Sequence, residues 1–183
     1  REAVVIEVGK IPNGPGWKQD DINALMIEHA SGGAHIARLK SGDPGVFGRL
    51  DEEMDALDTA GIAFEIVPGI TAATAAATSI KVSLTRRGRN KSFRFVTGHD
   101  MEGFAEHDWR GLAAAGSAAV IYMGVRAARF VQGRLLMHGA RADTPVTVVE
   151  NASRADQKIV PATLATVPDA LADAGVTGPA ILF

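Results

Sequence analysis

The chain has 183 residues, enough for one domain or two small ones around a proper core, with 46% apolar residues and a net charge of −2. That composition excludes a disordered chain, and the absence of cysteine excludes disulfides, thiolate metal sites and a cysteine nucleophile. No apolar run approaches the ~18–20 residues of a membrane span, no signal-peptide layout opens the sequence, and the balanced charge gives no global pull toward nucleic acid.

The first element is AVVIEV (Ala3–Val8), a β-branched run closed by Gly9-Lys10, which predicts a strand. The turn formers of PNGPG (Pro12–Gly16) follow as a loop. Between Asp20 and Ala30, residues Ile22, Leu25, Met26 and His29 recur at helical spacing, with Asp20 or Asp21 as the N-cap. His35–Leu39 is a second predicted strand, and it runs into the loop of RLKSGDPGVFGRLDEE (Arg38–Glu53). Leu50, Met54 and Leu57 then mark one face of a helix that stops at Gly61. Phe64–Val67 predicts a third strand, followed by PGIT and an alanine-rich helix over Ala72–Ser79.

The character changes at RRGRNKSFR (Arg86–Arg94), which holds five basic groups and no acid. Beyond it the alternation restarts: strand Phe93–Thr97, helix Trp109–Ala115, strand Ala118–Met123, helix Ala128–His138, strand Val146–Glu150, helix Pro168–Ala174 and a strand-like Pro179–Phe183. Repeated strand–helix alternation predicts an α/β fold with parallel sheet covered by helices. The basic segment is the natural seam, giving an N-terminal α/β domain over 1–87 and a C-terminal one over 88–183. A polar tail is missing at both ends, so the sequence reads as part of a longer polypeptide.

The loop after the second predicted strand is the first candidate site, because parallel strands present ligands at their carboxyl ends. Ser41, Gly42, Asp43, Pro44, Gly45 and Gly48 let the backbone approach a ligand closely along a stiffened path. A phosphate loop would need Lys-Ser or Lys-Thr and no nearby anion. Here Asp43 stands at the centre, and Asp51, Glu52 and Glu53 occupy the next helical turn, most simply as partners of the helix dipole. A cationic or neutral ligand suits such a loop, and S-adenosylmethionine, a sulfonium without phosphate, is one. The plain alternative is a tight strand–helix turn in which Asp43 is only a cap.

The same loop is followed by GIAFEIVPGITAA (Gly61–Ala73), SLTRR (Ser83–Arg87), VTGH (Val96–His99), VIYMG (Val120–Gly124) and TPVTVVENAS (Thr144–Ser153). In that order and at those separations the chain resembles the tetrapyrrole methylases, and among them the uroporphyrinogen-III C-methyltransferases, including the methylase module of sirohaem synthases. The resemblance runs from about Val8 to the last residue. It implies the tetrapyrrole methylase fold: two α/β domains, the first incomplete here, with S-adenosylmethionine in the cleft between them, in a cytoplasmic homodimer. It further implies that Ser41, Gly42, Asp43 and Val46 form one cofactor loop, that Thr71, Ala72, Met123 and Ala152 also touch the cofactor, and that Lys10 is the proton donor. The family's first glycine-rich loop and its proton-accepting aspartate would precede Arg1. Ser41 stands in place of a glycine, Leu50-Asp51 of a Gly-Gly pair, Ser83 of a proline, Arg86 of a histidine and Ile11 of an arginine.

The implied reaction is methylation of two ring carbons of uroporphyrinogen III, giving precorrin-2 on the route to sirohaem or cobalamin. Methyl transfer from a sulfonium asks mainly for orientation of donor and acceptor, plus one group of tuned pKa near the carbon that loses its proton; Lys10 is the candidate, against the plainer reading of a surface lysine ending a strand. Arg86 and Arg87 would hold the substrate's carboxylates by forked hydrogen bonds, while Lys91 and Arg94 face solvent. The same basic run also reads as a solvated linker or a grip on a phosphate backbone. His99-Asp100 and His107-Asp108 lack metal-ligand spacing and read as turn or cap residues; no metal is expected. Rival functions are a precorrin-4 C11-methyltransferase, a 2′-O-methyltransferase acting on ribosomal RNA, and a non-catalytic domain that dimerises or supports a fused partner. No nucleic-acid or membrane partner is expected on the favoured reading.

Overall fold

A computed structural model describes residues 3–9, 16–88, 90 and 92–183. Lys10, Ile11, most of the Pro12–Gly16 loop, Arg89 and Lys91 lie outside the described residues. The chain divides into two compact units, residues 1–69 and 70–183, earlier along the chain than the seam expected after Arg87.

The first unit contains helices α1 (Gln19–Ser31) and α2 (Leu50–Thr59), which pack against each other. Ile22 and Met26 of α1 are buried, as their spacing predicted. The residue before α1 is Lys18, with no side-chain cap; Asp20 and Asp21 sit inside the first turn, where they complement the helix dipole. The helix over Leu50–Thr59 closes through the amides of Gly61 and Ile62 on the carbonyls of Asp58 and Leu57, and Gly61 takes the positive φ that such a stop requires. The strands predicted over Ala3–Val8, His35–Leu39 and Phe64–Val67 do not form: none carries a strand ladder among the described residues. A β-branched run favours extended backbone, but a strand exists only where a neighbour takes up its N–H and C=O groups. The apolar side chains of these segments accordingly stand exposed, Val4 at 88% and Leu39 at 84%.

The second unit opens with helix α3 (Ala72–Ser79), which has the bounds predicted for it. Strand β1 (Arg94–Thr97), helix α4 (Trp109–Ala113), strand β2 (Ala119–Tyr122) and helix α5 (Gly124–Met137) follow. Strands β3 (Pro145–Glu150) and β4 (Lys158–Thr163), helix α6 (Val167–Asp173) and strand β5 (Ala180–Leu182) complete the unit. The five strands form one sheet in the order β1-β2-β5-β3-β4. Only β1 and β2 run parallel; β2–β5, β5–β3 and β3–β4 are antiparallel, so the sheet is mixed rather than parallel. The reason is local. A short turn after Glu150 returns the chain beside β3 as a hairpin, whereas a parallel pair needs a crossover.

Strand β4 was not predicted, because Pro161 interrupts its apolar pattern. Proline is tolerated there because β4 lies at the sheet edge. Strand β5 is inserted between β2 and β3, and all three of its residues are buried. Val148, Leu182 and Ile121 face α5 and α6, whose Ala128, Val167 and Leu171 complete that core. Ile121 also meets the cluster of Trp109, Ala127 and Val131 between α4 and α5. Val120 and Tyr122 alternate to the opposite face, the side on which α3 buries Ala73, Ala76 and Ala77.

At the end of β3 the Glu150 carboxylate is buried. Its Oε1 accepts the amides of Thr177 at 2.8 Å and Gly178 at 2.6 Å, and its Oε2 faces Lys158 Nζ at 3.3 Å. Burial acts to raise its pKa, but the Gly178 and Thr177 amides and the Lys158 ammonium outweigh it, leaving the carboxyl below the ordinary range. The folded state therefore holds the ionised form more tightly than the unfolded chain. The stabilisation is full above the unfolded carboxylate pKa and is lost as pH falls through the lowered folded value. Glu150→Gln is expected to cost about 1–3 kcal/mol at neutral pH and to flatten the acid limb of a melting-temperature profile. An unchanged acid limb in thermal melts would show that Glu150 does not control it.

Candidate functional site

In the first unit the loop after Leu39 is built around Asp43. One carboxylate oxygen accepts the Gly45 amide at 2.8 Å, within the loop. The other accepts the Gly69 amide at 2.9 Å, in the segment that follows Val67. Asp43 is therefore a clasp between two loops, and more than the cap of its own turn. The two backbones touch at this point: a Cβ on Gly69 would lie 2.1 Å from the Gly42 carbonyl oxygen. Gly48 is constrained in the same way by the Pro44 carbonyl oxygen, at 2.4 Å. Gly42, Phe47 and Arg49 take positive φ, so the loop coils tightly and leaves Ser41 and Gly42 exposed while Val46 is half-buried.

The acids after the loop have more specific roles than dipole partners. Glu53 is only 3% exposed and accepts Lys40 Nζ at 2.6 Å, Arg38 Nε at 3.2 Å and Gln19 Nε2 at 3.2 Å. A buried carboxylate needs such partners, and two cations plus an amide supply them. Arg49 forks onto Glu52 at 2.5 and 2.6 Å, which holds the Glu52 carboxyl below its usual range. Asp51 is exposed and keeps the expected place in the first turn. Sequence reasoning missed the Glu53 hub. The signal was present as Arg38 and Lys40, two cations at alternate positions of a segment that otherwise reads as apolar. An open groove of about 310 Å³ runs beside this hub, lined among others by Trp17, Gln19, Lys40, Ser41, Phe47 and Arg49.

In the second unit, Thr71 and Ala72 start α3, with Thr71 buried and Ala72 exposed. Thr71 does not cap the helix with its own hydroxyl; that hydroxyl meets the Tyr122 hydroxyl at 2.5 Å. The Tyr122 oxygen also accepts the Ala73 amide at 3.1 Å. Met123 follows immediately, half exposed, at φ 52°. Thr71, Ala72 and Met123 are thus brought together through Tyr122. Ala152 lies on the turn after β3, between Asn151 and Ser153, both of which take positive φ. Asn151 donates to Asp156 and accepts the Arg154 amide on its carbonyl, while its buried Oδ1 has no hydrogen-bond partner among the described residues.

Arg86 and Arg87 stand at a tight turn: the Arg86 amide donates to the Asn90 carbonyl at 3.3 Å, and Asn90 Nδ2 donates to the Leu84 carbonyl at 2.7 Å. Both arginines are exposed, and neither makes an ion pair among the described residues. Arg94 is about half exposed and lies 3.5 Å from Asp108. Asp108 caps α4 through the Gly111 amide, and Asp100 accepts the Glu102 and Gly103 amides in a turn, as expected for both. Among the described residues no group of three potential ligands gathers at a metal site, and no helix is long and apolar enough to cross a membrane.

The mixed sheet with its helices, the coiled SGD loop and the Tyr-Met turn define one class of protein. Residues 4–168 match the family model of the tetrapyrrole (corrin/porphyrin) methylases, and the chain belongs to that family. Among curated relatives, it is 45% identical over 164 residues to a siroheme synthase of Edwardsiella ictaluri, covering 90% of this chain and 35% of the relative. It is 40% identical to a siroheme synthase of Xylella fastidiosa, covering all of this chain and 38% of the relative. The chain thus spans little more than a third of these relatives' length. Among solved structures, it is similar to the uroporphyrin-III C-methyltransferase of Thermus thermophilus complexed with S-adenosylhomocysteine, at 34% identity and TM-score 0.77, covering 91% of this chain and 73% of that one. It is also similar to a cobalamin biosynthetic enzyme, cobalt precorrin-4 methyltransferase, at 26% identity and TM-score 0.82, covering 91% and 70%.

The clasp makes a direct prediction. Asp43→Ala leaves the Gly45 and Gly69 amides without their acceptor, and Gly69→Ala forces the two loops apart; each is expected to cost about 1–3 kcal/mol. Hydrogen exchange at Gly45 and Gly69 should accelerate in Asp43→Ala, while Gly133→Ala, at an open site on α5, leaves it unchanged. Unaltered exchange at both amides in Asp43→Ala would remove the clasp from the account.

Proposed function

We propose that this chain carries out S-adenosylmethionine-dependent C-methylation of a tetrapyrrole, uroporphyrinogen III, at two ring carbons, giving precorrin-2 for sirohaem or cobalamin synthesis, and that it does so as a cytoplasmic homodimer. The observation that carries the reading is the likeness, at 34% identity over most of both chains, to a uroporphyrin-III C-methyltransferase complexed with S-adenosylhomocysteine. The residues present fit that cofactor. The Ser41–Val46 loop offers main-chain groups and no cation of its own, which suits a sulfonium nucleoside without phosphate. The unpartnered Asn151 Oδ1 beside Ala152 is a buried acceptor suited to a nucleobase amino group.

Ser41, Gly42, Asp43 and Val46 hold the cofactor from the clasped loop, and Thr71, Ala72, Met123 and Ala152 hold it with small or flexible side chains. When bound, S-adenosylmethionine supplies an electrophilic methyl group on a positively charged sulfur. The chain's part is orientation, because an in-line displacement is governed by the alignment of donor and acceptor. Arg86 and Arg87 are free to fork onto substrate carboxylates. Lys10, outside the described residues, is assigned as the proton donor. The likeness to a cobalt precorrin-4 methyltransferase at TM-score 0.82 supports a second reading, in which a precorrin-4 receives the methyl group.

Titration calorimetry of the full-length polypeptide that contains this chain, with S-adenosylhomocysteine, is expected to show binding. Incubation with S-adenosylmethionine and uroporphyrinogen III is expected to produce precorrin-2 absorbance. Replacing Arg86 and Arg87 by alanine should raise KM for the tetrapyrrole about tenfold or more, a loss of ~1.4 kcal/mol, with cofactor affinity unchanged. No binding of S-adenosylhomocysteine by that full-length polypeptide overturns the methylase reading; methylation of precorrin-4 alone replaces it with the second one.

A further inference from the structure

We propose that Tyr122 is a positioning residue for the cofactor: its hydroxyl fixes the Thr71-Ala72 pair and couples it to Met123. The inference rests on the methylase reading above. The hydroxyl lies at the end of β2, 2.5 Å from Thr71 Oγ1 and 3.1 Å from the Ala73 amide. Tyr122 is 8% exposed and Thr71 is 9% exposed, so neither hydroxyl exchanges its partner freely with water.

The arrangement replaces an ordinary helix cap. Thr71 occupies the N-cap position of α3 but makes no side-chain cap bond. A threonine there would normally turn its hydroxyl back onto a first-turn amide. The phenol oxygen takes the Ala73 amide instead, which satisfies one of the helix's free N–H groups from outside the helix. Thr71 Oγ1 is thereby held against the phenol, and its rotamer is set by a residue from another element.

Tyr122 is itself held on both sides. Its ring lies 5.9 Å from that of Phe95 on the neighbouring strand. Its carbonyl accepts the Gly98 amide at 2.7 Å. The next residue, Met123, is locked at positive φ, and its carbonyl accepts His99 Nδ1–H at 3.2 Å. Loss of the phenol oxygen removes the link between the start of α3 and the strand end that presents Met123, without removing a side chain proposed to touch the ligand.

The test is a double-mutant cycle on the affinity of the full-length polypeptide for S-adenosylhomocysteine. Tyr122→Phe and Thr71→Val are each expected to weaken binding about five- to tenfold, the worth of one buried hydrogen bond. The double variant should be little weaker than either alone, because the two hydroxyls act as one unit. Thr71→Ser keeps the hydroxyl and should retain most of the affinity. A purely structural tyrosine would lower the melting temperature and leave the dissociation constant of the folded protein unchanged. Unchanged affinity in Tyr122→Phe, or additive losses in the double variant, overturns the proposal. If Tyr122→Phe does not fold, equal weakening by Thr71→Val and Thr71→Ser overturns it, and retention by Thr71→Ser alone supports it. Failure of the unaltered full-length polypeptide to bind overturns the methylase reading and this inference with it, whereas loss of coupling with binding intact overturns the inference alone.

Discussion

One close approach of two strand ends organises the second unit. Where β1 gives way to Gly98, the backbone passes so near the end of β2 that a Cβ would lie 2.7 Å from the Met123 carbonyl oxygen and 2.9 Å from Ala127 Cβ. Only glycine fits, and it lets the one parallel pair of the sheet stay in register to its last residue. Much else follows from that contact. The Met123 carbonyl is left to accept His99, which fixes that ring with its proton on Nδ1. His107 donates from Nε2 to the Thr97 carbonyl, so the two histidines are committed to tying down the segment between β1 and α4. Met123 turns through positive φ directly into α5, whose small Ala127 and Ala128 sit under the sheet.

The first unit uses the same device without a sheet. Gly69 meets Gly42 backbone to backbone, and the Asp43 carboxylate is the bolt across the contact. Gly42 and Asp43 thus lie against Gly69, and Met123 against Gly98, each a glycine that no other residue can replace without moving the chain. A loop that binds through its backbone must be held by something other than the groups it offers, and here a carboxylate, a phenol and two close glycine contacts do the holding. The Asp43 carboxylate and the Tyr122 phenol are occupied in holding the backbone around them.

How much of this was legible in the sequence follows from which interactions are local. The helices were readable because their periodicity is written within a few turns, and α3 has the bounds predicted from Ala72–Ser79. Strands depend on partners elsewhere. Those of the second unit formed where they were expected, while Ala3–Val8, His35–Leu39 and Phe64–Val67 have the composition of strands and no ladder. Strand β4 was hidden by Pro161, which is permitted only because the strand lies at an edge, and that is a property of topology. Direction was hidden for the same reason, since a hairpin and a crossover leave similar apolar runs. At the site, Thr71, Ala72 and Met123 came from the family resemblance, and the structure adds the Tyr122 hydroxyl between them. A tyrosine alternating with Val120 into a buried face, just before Met-Gly, was the available signal: a buried phenol must find a partner. Glu53 was misjudged because its cations lie back along the chain at Arg38 and Lys40, beyond the reach of helix-turn reasoning.

The distribution of charge bears on which ligand each part can take. A polycarboxylate responds to cations that are not already neutralised, so the number of basic residues matters less than how many lack an acid. Arg38 and Lys40 are committed to the buried Glu53, and Arg49 is forked onto Glu52. The region of the SGD loop is thus electrostatically quiet despite holding several charges, which suits a ligand with a sulfonium and gives a polyanion little purchase. Arg86 and Arg87 are the contrasting case. They stand exposed on a turn pinned by Asn90, with no acid paired to either among the described residues. Pinning the backbone while leaving both guanidinium groups unpaired lowers the cost of ordering them on a carboxylate. Arg86 and Arg87 therefore differ from the cations around the SGD loop by a physical criterion, the absence of a built-in counter-charge among the described residues.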